Sequence, residues 1–318
     1  MNQYFVERND CPGCGQSVCT ELFSARLLDH PLSDSIERNF GVTGIDVFEI
    51  VKDVKYRLLE CSNCELIFQL NCFTEDFMEQ IYQQRSLAPE VQARDSGKPL
   101  RLSAYYAEEV VALLKMFNRN PGDIDVLDYG MGWGHWCSMA KAYGCNTFGF
   151  DVSECKKDFA RKNGITVIDE LAGKSFDYIN TEQVLEHVLY PLETVKMLCH
   201  SLKPGGILKI SVPNGERINK TRLLDATDPA NMGLNLVSPL MHINTFNYKA
   251  IVTMAENAEL KPVRIPVSNQ YSNIHLLNVK QAVKAVLRPL YRRFIRTTYL
   301  HFIKPGAPAG VTRTENHG

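Results

Sequence analysis

The run Asp128-Tyr-Gly130-Met-Gly132-Trp-Gly134 places three glycines at alternate positions, with a carboxylate two residues before the first. Such glycines permit a tight turn and let the backbone come close to a ligand. A second acid, Asp151, follows the short run Asn146–Phe150. An acid at the end of that next strand can accept both hydroxyls of a ribose. The spacing is G-x-G-x-G and not the dinucleotide pattern G-x-G-x-x-G. A carboxylate opening the loop would repel a pyrophosphate but suits an ammonium or a sulfonium. The expected ligand is therefore S-adenosylmethionine, which has both cations and no phosphate. The alternative is a loop that only turns the chain.

The other chemistry-bearing group is sulfur. Four of the ten cysteines form two knuckles, Cys11-Pro-Gly-Cys14 and Cys61-Ser-Asn-Cys64, separated by 46 residues. Four thiolates can close a tetrahedral zinc site, and with every position filled by protein the zinc would be structural. A redox reading is weaker, because neither knuckle lies at the strand–helix junction of a thioredoxin-like unit. The remaining six cysteines read as inert.

The elements that must hold these groups follow from periodicity. Residues 121–280 alternate short apolar runs with helical patterns, which predicts an α/β fold, a doubly wound, Rossmann-like sheet of seven strands. Strands are expected at Asp125–Tyr129, Asn146–Phe150, Thr166–Ile168, Phe176–Asn180, Gly206–Val212 and Pro262–Val267, with Asn273–Val279 a candidate for the last. Helices are expected at Trp133–Tyr143, Glu154–Asn163 ending at Gly164, Pro191–Leu202 with proline in its first turn, and Tyr248–Ala258. Residues 1–75 read as a small zinc-binding domain and 76–120 as a helical connector. Residues 281–318 read as a basic amphipathic helix to 304 followed by a flexible Pro/Gly/Thr tail.

Four segments carry a family resemblance: Val126–Gly134, Gly149-Phe-Asp151, Phe176-Asp-Tyr-Ile-Asn-Thr-Glu-Gln-Val-Leu-Glu-His-Val188, and Leu202-Lys-Pro-Gly-Gly206 running into Ser211-Val-Pro-Asn214. With these, residues 121–280 resemble the class I S-adenosylmethionine-dependent methyltransferases. The resemblance implies that Gly130 and Gly132, in the loop that Gly134 completes, approach the methionine part of the cofactor. It implies Asp128 at the amino group and Asp151 at the ribose. Asp169, ending the third strand, is a candidate for the adenine side, with a solvated turn acid as the alternative. Glu182 and Gln183 follow the fourth strand, at the carboxyl ends where ligands bind in such sheets.

Residues 1–85 resemble the N-terminal zinc-binding domain of the sugar C-methyltransferases, which act on nucleotide-linked deoxysugars. The likeness includes Leu66-Ile-Phe-Gln-Leu70 and Ile81-Tyr82 after the second knuckle. Those enzymes have a further C-terminal α/β domain, and this chain stops before one.

Methyl transfer asks the protein to position an acceptor and take its proton. Two histidines are candidates. His187 follows the fourth strand, and His242, in Met241-His-Ile-Asn-Thr-Phe246, closes the long segment 215–247 that should lie over the carboxyl edge of the sheet. The resemblance offers the histidine of a similar H-x-x-x-F run as a base, preceded by a glutamate where Met241 stands here. A packing role is the alternative for each histidine. Tyr82, Tyr105 and Tyr106 are further candidates for lining the acceptor site.

Composition bounds these readings. The 318 residues are 45% hydrophobic and 22% charged, which fits neither a disordered nor a collagen-like chain. No apolar run reaches the ~18 residues of a membrane span, and the N-terminus lacks a secretory pattern, so a cytoplasmic protein is expected. The net charge of −1 conceals an asymmetry: residues 260–318 hold ten Lys/Arg and one acid. Lys280, Lys284, Arg288, Arg292 and Arg296 recur at i+4 spacing, so 281–304 could touch an anionic membrane at the inner face; packing on the domain is the alternative. The sequence leaves the oligomeric state open. The leading expectation is methylation, at oxygen or carbon, of a small-molecule or glycan acceptor: a nucleotide sugar or lipid-linked glycan in polysaccharide or natural-product biosynthesis. The alternatives are an RNA methyltransferase gripping phosphates with the zinc module and tail, although the module is not basic, and a non-catalytic S-adenosylmethionine-binding scaffold.

Overall fold

The computed structural model describes residues 3–95, 97, 99–218, 236–266, 269, 283, 286–287 and 297–306. In chain order the N-terminal elements are β1 (Phe5–Glu7), β2 (Cys19–Arg26), α1 (Leu32–Phe40), α2 (Val47–Val51), β3 (Lys55–Cys61), β4 (Ile67–Gln69) and β5 (Asn71–Phe73). Three helices follow, α3 (Glu75–Leu87), α4 (Pro89–Asp95) and α5 (Leu100–Phe117). The alternating part comprises β6 (Asp125–Tyr129), α6 (His135–Ala142), β7 (Asn146–Phe150), α7 (Glu154–Lys162), β8 (Thr166–Val167), β9 (Phe176–Glu182), α8 (Pro191–His200), β10 (Leu202–Ser211), β11 (Asn244–Thr245), α9 (Tyr248–Asn257), β12 (Lys261–Val263) and β13 (Tyr299–Ile303).

Seven strands form the main sheet in the order β12-β13-β10-β9-β6-β7-β8. The strands β8, β7, β6, β9 and β10 pair in parallel, and β13 runs antiparallel to both β10 and β12. This is the doubly wound α/β sheet expected. From β6 the chain steps outward to β7 and β8, then returns to β9 on the other side of β6. The crevice at the carboxyl ends of β6 and β9 is therefore the switch point where such sheets bind ligands. Central β9 is buried at its first six residues, as a parallel strand covered on both faces must be.

One expectation is corrected at the C-terminus. Residues 299–303, assigned from sequence to the basic helix, form β13, so the sheet extends past residue 280. The run Tyr-Leu-His-Phe-Ile is aromatic and β-branched, with His301 and Phe302 buried, which suits a strand between two others. The candidate strand Asn273–Val279, most of the basic helix, residues 219–235 of the long segment and the tail from 307 lie outside the described residues. Among the described residues no helix is long and apolar enough to cross a membrane.

The N-terminal layer is joined to the sheet domain. Its four-stranded sheet has the order β11-β4-β3-β2, so one edge strand comes from residues 244–245. Phe68, Leu66 and three knuckle cysteines pack in one core with Leu185, Leu208, Ile210 and Phe246. Val237, Leu240 and Met241, at the returning end of the long segment, pack with Leu32, Ile36, Phe40 and Tyr56. Gln69 fixes that return: its Nε2 donates to the carbonyls of Ser238 and His242, both at 2.9 Å, and its Oε1 accepts from Leu240 N–H at 2.9 Å.

Candidate functional site

A cavity of about 660 Å³ opens at the carboxyl ends of β6, β7 and β9, a size that suits a small-molecule ligand. The glycine loop forms its floor. Gly130 has φ +79°, and a Cβ there would meet Val184 Cγ2 at 2.4 Å, so both backbone and packing require glycine. Gly132 has φ +55° and nothing within 4 Å of its Cβ position, so the loop leaves open space over it. Gly134 caps α6 with φ +70°.

Asp128 and Asp151 flank this opening and both are buried. Asp128 Oδ1 accepts from Asn180 Nδ2 at 2.7 Å across paired β6 and β9. Burial pushes the Asp128 carboxyl up to about 7, with the Asn180 hydrogen bond opposing. Asp151 Oδ2 accepts from Gly132 N–H at 2.9 Å, and its Oδ1 accepts from Ser153 N–H at 2.9 Å. Asp151 thus shapes the loop. Each oxygen keeps a second lone pair for a hydroxyl. Several buried polar atoms of lining residues, Asn180 Oδ1 and Trp133 Nε1 among them, have no hydrogen-bond partner among the described residues. Open space over Gly132, orphaned polar atoms and two flanking acids fit an amino-acid-bearing nucleoside.

The other expected residues divide. Glu182 and Gln183 line the cavity, and Glu182 Oε2 accepts from Lys209 Nζ at 2.8 Å. Lys209 is fully buried in β10 and also pairs with Glu109, which keeps its ammonium charged. Asp169 stands apart. Its side chain is 67% exposed and pairs with Lys157 at 3.0 Å and Arg161 at 3.5 Å, outside the cavity lining. The cations on α7 draw it outward, which is the solvated-turn alternative.

Tyr82 and Tyr106 line the cavity, whereas Tyr105 packs against Tyr106 with ring centroids 5.4 Å apart and lies outside the lining. His187 stands at a wall shared with a second cavity of about 280 Å³. Its Nδ1–H donates to the Met241 carbonyl at 2.8 Å, which leaves Nε2 with the lone pair. Burial, then neighbouring His242, holds the His187 imidazole down to about 3, so it stays neutral. His242 lies one layer back. It lines the second cavity and not the first, with its ring centroid 4.8 Å from that of His187. Arg38, Arg85 and Lys156 line the same small cavity. Asn180, Trp133 and Lys156 were not singled out by sequence reasoning. Asn180 was within reach of it, since its place on β9 opposite Asp128 follows from strand order.

The four knuckle cysteines converge. Their sulfurs all lie within 4.8 Å of one another, with Cys11–Cys64 at 3.6 Å and Cys14–Cys61 at 3.5 Å. Zinc–sulfur bonds of about 2.3 Å in a tetrahedron put sulfurs roughly 3.8 Å apart, so the set fits that ion. Gly15 N–H bonds to the Cys11 carbonyl at 2.8 Å and Glu65 N–H to the Cys61 carbonyl at 3.0 Å, closing two equivalent turns.

Comparison with known proteins bears on this arrangement. Residues 101–265 match a family described as a methyltransferase domain. A ubiquinone biosynthesis O-methyltransferase of Brucella anthropi is 28% identical over 176 residues, covering 50% of this chain and 66% of that protein. The protein of the same name from Hahella chejuensis is 32% identical over 129 residues, covering 36% of this chain and 50% of that one. The chain thus spans between half and two thirds of these relatives. Among solved structures, magnesium protoporphyrin IX methyltransferase from Synechocystis PCC 6803 with bound SAH is 15% identical. That match covers 73% of this chain and 100% of that one, with a TM-score of 0.49.

Proposed function

The chain belongs to the methyltransferase-domain family, and from that premise we propose that it moves the methyl group of S-adenosylmethionine to a sugar-bearing small molecule, a nucleotide sugar or lipid-linked glycan. The observation that carries the cofactor is the pair Asp128 and Asp151 lining one cavity with the open Gly132. The sugar rests on the resemblance of the four-cysteine module. It gains support from Arg38, Arg85 and Lys156 in the second cavity, which suit a phosphate-bearing acceptor. The relatives' names favour oxygen over carbon as the accepting atom, and so does Met241 where the C-methyltransferase pattern has a glutamate.

When bound, S-adenosylmethionine supplies an electrophilic methyl on sulfur. The chain's own residues do the rest. Ionised Asp128 attracts the cofactor's ammonium, and Asp151 orients its ribose. His187, kept neutral, stands in the wall between the cavities and retains a lone pair on Nε2. Positioning supplies much of the rate in such a transfer. A structural zinc at Cys11, Cys14, Cys61 and Cys64 would tie the first knuckle to the end of β3 and the turn that follows it.

Methyl-labelled S-adenosylmethionine tests this reading against nucleotide sugars, glycolipids and RNA. Label on a sugar hydroxyl supports it. Label on RNA would favour the nucleic-acid alternative, and cofactor binding without transfer to any class would favour the scaffold.

A further inference from the structure

Behind the wall shared by the two cavities, Glu186, His187 and His242 bring one carboxylate oxygen and two ring nitrogens within 4.8 Å of one another. We propose that these three side chains form a second metal site, separate from the cysteines, for a divalent transition ion.

The buried carboxylate is the first reason. Glu186 has a side chain only 2% exposed, and neither of its oxygens has a hydrogen-bond partner among the described residues. Buried carboxylates are paired or bound to metals, because an unpartnered one is costly. The second reason is the tautomer of His187. Its Nδ1–H is committed to the Met241 carbonyl, so the lone pair on Nε2 points toward Glu186, 4.0 Å from Oε1. A ring nitrogen fixed by a carbonyl on its far side is how metal-ligating histidines are oriented. Ligand bonds of about 2.0–2.2 Å place neighbouring ligand atoms roughly 3–4 Å apart, so a small contraction closes the set.

The support is rigid. Asn244 Nδ2 donates to the carbonyls of Leu185 at 3.0 Å and Val188 at 2.7 Å, and Asn244 N–H bonds to the Glu186 carbonyl at 3.1 Å. The backbone that carries two of the three ligands is therefore clamped. Arg85 and Lys156 line the cavity beside the histidines, and an ionised Glu186 supplies the negative charge that a dication needs against them. Two imidazoles and one carboxylate favour zinc, iron, cobalt or manganese over magnesium. Three protein ligands leave the remaining positions to water or to an oxygen of an acceptor. On the methyltransferase reading, an acceptor hydroxyl bound there would lose its proton more readily.

Cobalt(II) chloride, titrated into the full-length protein with its cysteine metal retained, tests the site without cofactor or turnover. Visible absorption and metal analysis after dialysis read the outcome. The wild type is expected to take up about one further equivalent, with weak d–d bands and no thiolate charge transfer, and to melt at a higher temperature with cobalt than without. Glu186→Gln and His242→Gln are each expected to lose about tenfold or more in cobalt affinity and to keep their cysteine-bound metal. No uptake by the wild type overturns the proposal without any variant, and so does wild-type uptake by both variants. A protein that binds cobalt but not S-adenosylmethionine would retain this site and lose the methyltransferase reading.

Discussion

Arg8 Nη1 donates to Asn244 Oδ1 at 2.8 Å, deep between the N-terminal layer and the sheet domain. The same guanidinium bonds to the carbonyls of Gln69, Leu189 and Ile243, and burial lowers its pKa. Asn244 in turn clamps the backbone of residues 185–188 beside the cavity wall. One buried side chain from the start of the chain thus ties β4 and β11 to the segment bearing Glu186 and His187.

Arg8→Met should therefore destabilise strongly. It strands several buried acceptors, each costing about 1–3 kcal/mol when left unpaired, so a loss of about 3 kcal/mol or more is expected. Thermal melting checks this. A change under about 0.5 kcal/mol, typical of a surface site, would contradict the clamp.

The two loop glycines should separate stability from binding. Gly130→Ala sets a left-handed alanine, costing about 1–2 kcal/mol, against Val184, and should lower the melting temperature. Gly132→Ala carries the same left-handed cost but meets open space, so it should destabilise less and chiefly weaken S-adenosylmethionine binding. Melting curves and calorimetric titrations on both variants read the contrast, and equal effects on both properties would contradict it.

Asp128 predicts a pH dependence. Its carboxyl lies at about 7 in the folded chain, raised first by burial and then by the Glu182 charge, against about 3.9 unfolded. The folded state holds this proton more tightly, so the stabilisation is full below about pH 4 and is lost as pH rises through about 7. The ligand-free protein should lose stability over that window, and Asp128→Asn should be the more stable form at pH 8. Cofactor affinity should run the other way. Only ionised Asp128 attracts the ammonium, so affinity should fall below pH 7 by up to about tenfold per unit, and Asp128→Asn should abolish that slope. A flat pH profile in the wild type would contradict the assignment.

The sequence carried most of the loop and little of its surroundings. A strand, a glycine loop and a helix are written in consecutive residues, so Asp128, Gly130, Gly132 and Asp151 were legible. Asp169 lies just past the two-residue strand β8, and two cations on α7, which no local pattern ties to it, decide its direction. Strand β13 was hidden behind a basic i+4 pattern that ends just before it. The joining of β11 to β4 and the buried Arg8 rest on contacts between distant segments, which no local pattern encodes. His242 was rightly placed at the end of its segment, yet Gln69 and Ser238 set it one layer behind the main cavity.

The central claim is that the Asp128–Gly132–Asp151 cradle holds S-adenosylmethionine, and calorimetric titration of that cofactor into the wild type, Asp151→Ala and Asp169→Ala tests it most directly. The account expects one site per chain in the wild type. It expects about tenfold or greater weakening in Asp151→Ala, from the loss of charged hydrogen bonds worth roughly 1.5–3 kcal/mol, and no change in Asp169→Ala. No binding by the wild type, preference for NAD, or an Asp151→Ala affinity equal to wild type would contradict it.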